Sequence, residues 1–243
     1  MKRLKFLLAL PLLVMSACSN KNSLTDKTLV IGCSPTPHAE ILEFAKPLFE
    51  EKGYKLDIKV LNDYVTPNTL LNSGDLDANY FQHVPYLDDF NSKNGTDLSW
   101  IMKVHFEPMG IYSKSETNLN KANPRIAIPN DTSNGARARA LLEAKGITGT
   151  IVEVEAQSIP SILQDVDYGV INGNYALSAK VTNLCLATED SESEIAMTNA
   201  NVIAVKTSSL KYEWINVIKE VIGSDSVRNF INTNYGSAVK AVF

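Results

Sequence analysis

The chain has 243 residues and a formal net charge of −4, with 23 Lys and Arg against 27 Asp and Glu. That balance argues against a nucleic-acid partner, because phosphate backbones reward dense positive charge. A hydrophobic content of 44% over this length allows one large domain or two smaller ones with a substantial core, and no heptad, repeat or low-complexity tract interrupts it.

The N-terminus reads MKRLKFLLALPLLVMSACSN. Lys2, Arg3 and Lys5 precede a short apolar run from Phe6 to Met15, and small Ser16 and Ala17 stand before Cys18. This is the order of a secretory signal peptide, too short to span a bilayer permanently. The ending resembles a bacterial lipobox, with Met15 where Leu is favoured. The resemblance implies loss of residues 1–17 and attachment of lipid to the Cys18 thiol. The alternative is an ordinary signal peptide with an incidental cysteine. Residues 18–26 read as a polar, lipidated tether to a membrane surface. Losing Lys2, Arg3 and Lys5 takes the 23 basic residues to 20 against 27 acidic ones, a net of −7. Cys33 and Cys185 lack C-x-x-C spacing and read as small buried hydrophobes, with a disulfide left open for an exported chain.

TLVIGCS (28–34) reads as a buried strand, and His38 to Glu51 as an amphipathic helix with Pro47 predicting a kink or an early stop. Gly53 is a C-terminal signal, and KLDIKVL (55–61) alternates like a strand. The β-α-β order implies a parallel sheet. Thr66-Pro67 predicts a helix start with Thr66 as N-cap, ended by NSGD (72–75). Leu76 to Phe81 reads as a strand, Val84 to Asn94 as a helix and LSWIMKVHF (98–106) as a long strand. The alternation then restarts with a strand at 125–131, a helix at 133–145, a strand at 150–156, a short helix at 159–163 and a strand at 168–173. A strand at 201–206 and helices at 210–222 and 226–234 follow. Two such units predict an α/β protein of two lobes, the first from residues 27–114 and 202–243 and the second from 115–201. A ligand is expected in the crevice at the strand ends.

Four polar turns follow apolar runs: NDYVTPN (62–68), NYFQH (79–83), PNDTSNGAR (129–137) and INGNYA (171–176). Arg137 falls in the first turn of its helix, where a cation opposes the dipole unless an anion joins it. A carboxylate there would meet both free N–H groups and a guanidinium fork. Arg139 points away from that face and reads as surface. Tyr64, Phe81 and Tyr86 could be core or a ligand wall. His83 beside them would add a flat ring and a hydrogen bond. Tyr80 alternates away from Phe81 and reads as structural. His38, His83 and His105 could in principle bind a metal, but no H-x-x-x-H spacing supports it. No hydrolase, zincin or phosphate-loop motif is present, so no catalytic residue is assigned.

NDYVTPN, GDLDANYFQHVPYL, HFEPMGIYSK, IPNDTSNGARA and DVDYGVINGNYA, in this order, resemble the methionine-binding lipoproteins of the MetQ/NlpA type, substrate-binding components of methionine ABC importers. The resemblance implies a two-lobed periplasmic-binding-protein fold (type II-like) and a cell-envelope location outside the cytoplasm. It implies L-methionine or a related small molecule as ligand, an ABC permease and the membrane as partners, no cofactor and no turnover. It places Tyr64, Phe81, His83 and Tyr86 around the thioether. Asn134 and Arg137 would hold the head group, with Asn172 and Asn201 beside them. Asn oxygens would then accept from the ammonium, with no buried acid required. A methionine-containing dipeptide, another apolar amino acid or, through the histidines, a metal is the alternative. Two departures stand out. GITGT (146–150) joins the helix to VEVEA almost directly, where the family has a longer segment. EIAMTNAN lacks the usual S-P-Y-x-N form, so Asn199 competes with Asn201 for the last position.

Overall fold

β1 (Thr28–Cys33), α1 (Glu40–Glu51) and β2 (Lys55–Val60) form the expected unit, with β1 and β2 parallel and Thr28 opposite Lys55. The computed structural model describes residues 27–193 and 197–243, so the signal peptide, Cys18 and the tether lie outside the described residues. Pro47 neither stops nor shortens α1. It lies with Glu43 on the exposed face, where water can satisfy the Glu43 carbonyl that proline cannot. His38 sits ahead of the helix, in a tight turn at Pro35–Ala39, and is fully buried.

α2 (Thr66–Ser73) ends at Gly74, whose φ of 90° suits glycine. Its cap differs from the expected Thr66. The Asp63 carboxylate accepts from the backbone N–H groups of Val65 (2.8 Å) and Thr66 (2.7 Å), satisfying the helix's first orphan donor and the one before it. β3 (Ala78–His83), α3 (Val84–Asn94) and β4 (Leu98–Phe106) follow. β3 starts later than expected because Asp77 turns its carboxylate onto the Val30 N–H.

The second sheet uses β5 (Gly110–Tyr112), β6 (Arg125–Pro129), β7 (Thr150–Val154), β8 (Tyr168–Ile171) and β9 (Cys185–Thr188). α4 (Thr132–Ala144) connects β6 to β7, and α5 (Gly173–Ser178) follows β8. β10 (Asn201–Lys206) returns to the first sheet between β3 and β4, antiparallel to both. α6 (Trp214–Ile222), α7 (Asp225–Tyr235) and β11 (Lys240–Ala241) complete the chain. The strand orders are β11-β4-β10-β3-β1-β2 and β7-β6-β8-β5-β9.

The chain therefore crosses between sheets twice, after Phe106 and before Asn201. β5 pairs with β8 in the second sheet, although the expected division assigns residues 110–112 to lobe 1. Asn201 is likewise the first residue of a first-sheet strand. Ile31, Phe49, Tyr80 and Ile218 belong to the main core of the first lobe, and Ile128, Leu142 and Val170 to a core of the second. Tyr80 is thus a core residue. Cys33 in β1 and Cys185 in β9 are free thiols in different sheets, and burial pushes the Cys33 thiol up to about 12.

Replacing the Asp63 cap should be visible in stability. Burial raises this carboxyl, but the N–H bonds from Thr66 and Val65 outweigh burial and hold it below the usual carboxylate value. Asp63→Ala should cost about 0.5–2 kcal/mol in urea unfolding at pH 7. Its contribution is present above the unfolded-state pKa and is lost as pH falls through the lower folded one, so parent and variant should converge in acid. A constant difference down to pH 2 would contradict the assignment.

Candidate functional site

Both crossings pass beneath one cleft, and the ends of β3, β8 and the start of β10 open into it. Tyr64, Phe81, His83, Tyr86, Asn134, Arg137, Asn172 and Asn201, the eight residues expected from the sequence, all line this space. Glu107, Asn174, Gly173 and Gln82 line it too. About 330 Å³ between these side chains is not filled by protein atoms, and the slot is narrow.

The lobes are closed over it. Tyr64 Oη donates to Asn174 Oδ1 (2.6 Å), Tyr175 Oη to the Asn62 carbonyl (3.0 Å) and Lys93 Nζ to Thr132 Oγ1 (2.5 Å), each from one lobe to the other. Tyr64, Phe81 and Tyr86 form one wall, with ring centroids 5.8–6.0 Å apart and Tyr86 edge-on to the other two. Tyr175 extends it, 4.8 Å from Tyr64. Tyr86 Oη donates to the Tyr64 carbonyl at 3.0 Å, fixing the loop to α3.

His83 caps α3, its Nδ1 accepting from the Tyr86 N–H (3.2 Å). Its Nε2 lies 3.1 Å from Asn134 Oδ1. An acceptor at one nitrogen and a donor at the other assign the neutral tautomer. Burial keeps it neutral, lowering its pKa to about 3 with the charge of Arg137 acting the same way. The expected ring surface is present, but both of its hydrogen bonds are taken inside the protein. Asn134 Oδ1 also accepts from Asn172 Nδ2 at 2.8 Å. Asn201 Oδ1 pairs with His38 Nε2 at 3.0 Å. Two buried atoms of the cleft residues have no partner among the described residues: the acceptor Asn172 Oδ1 and the donor Asn174 Nδ2.

Arg137 is almost entirely buried and already has a carboxylate. Its Nε and Nη2 donate to the two oxygens of Glu189 (2.7 and 2.5 Å), and Nη2 also reaches the Glu107 carbonyl (3.0 Å). Nη1 takes no part in that pairing. Arg137 is the sixth residue of α4, in the second turn rather than the expected first, and the resident anion explains how its cation stands buried there; sequence reasoning missed that anion because Glu189 is 52 residues away. Arg139 pairs with Glu153 at the exposed surface.

Glu107 was also missed. Its Oε1 accepts from His105 Nε2 at 2.6 Å, while Tyr80 Oη pairs with His105 Nδ1. His38 Nε2 lies 3.6 Å from the same oxygen. Burial raises the Glu107 carboxyl to about 7, against the opposing pull of His38 and Arg137. Burial lowers His38 to about 4 and His105 to about 3, so both are neutral near pH 7. His38, His105 and Glu107 bring donor atoms within 4.8 Å of one another, an arrangement that could hold a metal ion. The nearest donors, however, already bond to one another or to Asn201. His83 stands apart on Asn134, so the three histidines are not brought together. Asn199 lines a different groove, beside Ala140 and Leu141.

The sequence profile of the family described as NlpA lipoprotein matches residues 29–150 and 149–243. The two pieces meet between α4 and β7, at the shortened GITGT junction. The chain is 34% identical to the methionine-binding lipoprotein MetQ of Bacillus subtilis, covering 94% of each protein. Among solved structures, lipoprotein Tp32 from Treponema pallidum superposes with a TM-score of 0.84 at 32% identity, covering 89% of this chain and 100% of that one. A nutrient-binding protein from Burkholderia cenocepacia bound to methionine gives a TM-score of 0.83 at 32% identity, covering 88% and 100%.

The Arg137–Glu189 pair should dominate local stability. Removing one partner strands the other charge, so Glu189→Leu alone should cost about 3–5 kcal/mol in urea unfolding, while Arg137→Met with Glu189→Leu should recover most of it. Breaking the exposed Arg139–Glu153 pair should cost no more than about 1 kcal/mol. Equal small losses at both pairs would show that burial does not set the difference.

Proposed function

The chain belongs to the NlpA lipoprotein family, and we propose that it captures L-methionine or a close derivative outside the cytoplasm and delivers it to an ABC importer. It is a binding protein and not an enzyme. The observation that carries the reading is the convergence of eight residues from separate segments of both lobes on one narrow, closed slot. The methionine held by the Burkholderia cenocepacia protein supplies the ligand class.

The slot has two chemical ends. Tyr64, Phe81, Tyr86 and the neutral His83 present rings, which suit an unbranched, polarizable thioether at about 0.3–1.5 kcal/mol per sulfur–aromatic contact. The narrowness disfavours β-branched side chains, which would need width near the head group. At the other end, Arg137 Nη1 and the unpartnered Asn174 Nδ2 are donors for an α-carboxylate. Asn201 Nδ2 joins them, because its Oδ1 is held by His38. Asn134 positions His83 and Asn172 rather than offering its own oxygen. Lipid on Cys18 would hold the protein at the cell envelope, within reach of a permease.

Calorimetry should give a dissociation constant for L-methionine in the micromolar range or tighter. Norleucine, which replaces sulfur by CH₂, should bind about 2- to 12-fold more weakly. Arg137→Lys keeps a charge beside Glu189 but loses the planar fork, and should weaken methionine by roughly 30-fold. Binding of valine or isoleucine as tightly as methionine, or an unaffected Arg137→Lys variant, would overturn the assignment.

A further inference from the structure

Resting on that reading, we propose that Glu107 is the anionic partner of the ligand's ammonium group and makes the site selective for a free α-amine. An α-ammonium carries three N–H donors and needs acceptors once it leaves water. The amide oxygens named from the sequence are mostly occupied. Asn134 Oδ1 accepts from His83 and Asn172, and Asn201 Oδ1 from His38. Asn174 Oδ1 accepts from Tyr64. Of these amide oxygens, only Asn172 Oδ1 lacks a partner among the described residues, and it is buried at the slot. A single neutral amide oxygen is a poor match for a buried cation.

Glu107 supplies what is missing. It is 4% exposed and lines the slot with Asn172, Asn174 and Asn201. Its Oε2 lies by Gly173, where a Cβ would sit 3.0 Å from that oxygen and 2.6 Å from the Glu107 Cβ. Glycine there keeps the approach to the carboxylate open. His105 and the Asn174 N–H hold the carboxylate in place. Arg137 is already neutralised by Glu189, so a zwitterion would meet one neutral pair and one unmatched anion. The Glu107 carboxylate answers the ammonium, and Arg137 Nη1 answers the ligand's own carboxylate.

The proposal has a proton signature. Groups facing Glu107 are His38 from the turn after β1, Tyr80 from β3, His105 from β4 and Arg137 from α4, with Tyr64, Tyr112 and Tyr235 electrostatically coupled to it. The histidines are neutral down to about 4 and the tyrosines are raised by burial, so Glu107 titrates alone among them near pH 7. Below its free-protein pKa it must lose a proton before it can hold an ammonium, so affinity falls with falling pH.

The test uses calorimetry on the full-length chain with methionine and its desamino analogue, 4-(methylthio)butanoate. The unmodified protein should prefer methionine by at least about 30-fold at pH 8, and the preference should shrink about tenfold per pH unit below 7. Glu107→Gln should remove most of the preference and its pH dependence, weakening methionine far more than the analogue. A preference that neither pH nor the variant changes, or a variant that weakens both compounds equally, would overturn the role. If Glu107→Gln fails to fold, the pH series on the unmodified protein decides alone. Binding of neither compound by the unmodified protein would overturn the methionine reading, and this role with it.

Discussion

The carbonyl oxygen of the Asn134 side chain accepts from His83 in the first lobe and from Asn172 in the second. That shared acceptor ties the ring wall to the polar end and also joins the two lobes. It works because buried polar atoms must find partners, and an unmet one costs about 1–3 kcal/mol. With Asn134 committed, His83 is held as a neutral ring and Asn172 is rotated so that its own oxygen is left over. The polarity of the slot is therefore decided by which atoms the protein does not use itself.

Electrostatics follow the same rule. The Arg137 side chain, in the second turn of α4, is almost dry, a position untenable for a lone cation. Glu189 neutralises it from the crossing segment that leads back to the first sheet, so the pair also fastens α4 to that crossing. On the other side, His38 and His105 are kept neutral by burial and support Glu107 without adding charge. The crossings thus carry both carboxylates, Glu107 on the way out and Glu189 on the way back.

Much of this was readable in the chain. The apolar runs TLVIGC and NVIAVK marked β1 and β10, and Val84 to Asn94 matched α3 at both ends. The eight cleft residues were found through motif resemblance rather than periodicity, since nothing in spacing alone separates Phe81 from a core ring. Short elements escaped. β5 has three residues and β11 two, too few for a period to register. α5 begins GNY, which reads as a turn until Glu107 and Tyr64 are placed against it. Asp63, three residues before Thr66, caps the helix instead, because its carboxylate reaches the N–H groups of Val65 and Thr66 itself. Glu107 and Glu189 were invisible for a different reason: hydrogen-bond occupancy is a three-dimensional count. An asparagine's identity does not say which of its atoms is already taken.

Mass spectrometry of the small molecules released on denaturing freshly purified protein tests the central claim most directly. The account predicts close to one equivalent of methionine, or of a derivative that keeps the thioether and a free α-amine. Release of a branched apolar amino acid, a bound metal ion with no organic ligand, or a compound lacking the amine would contradict it.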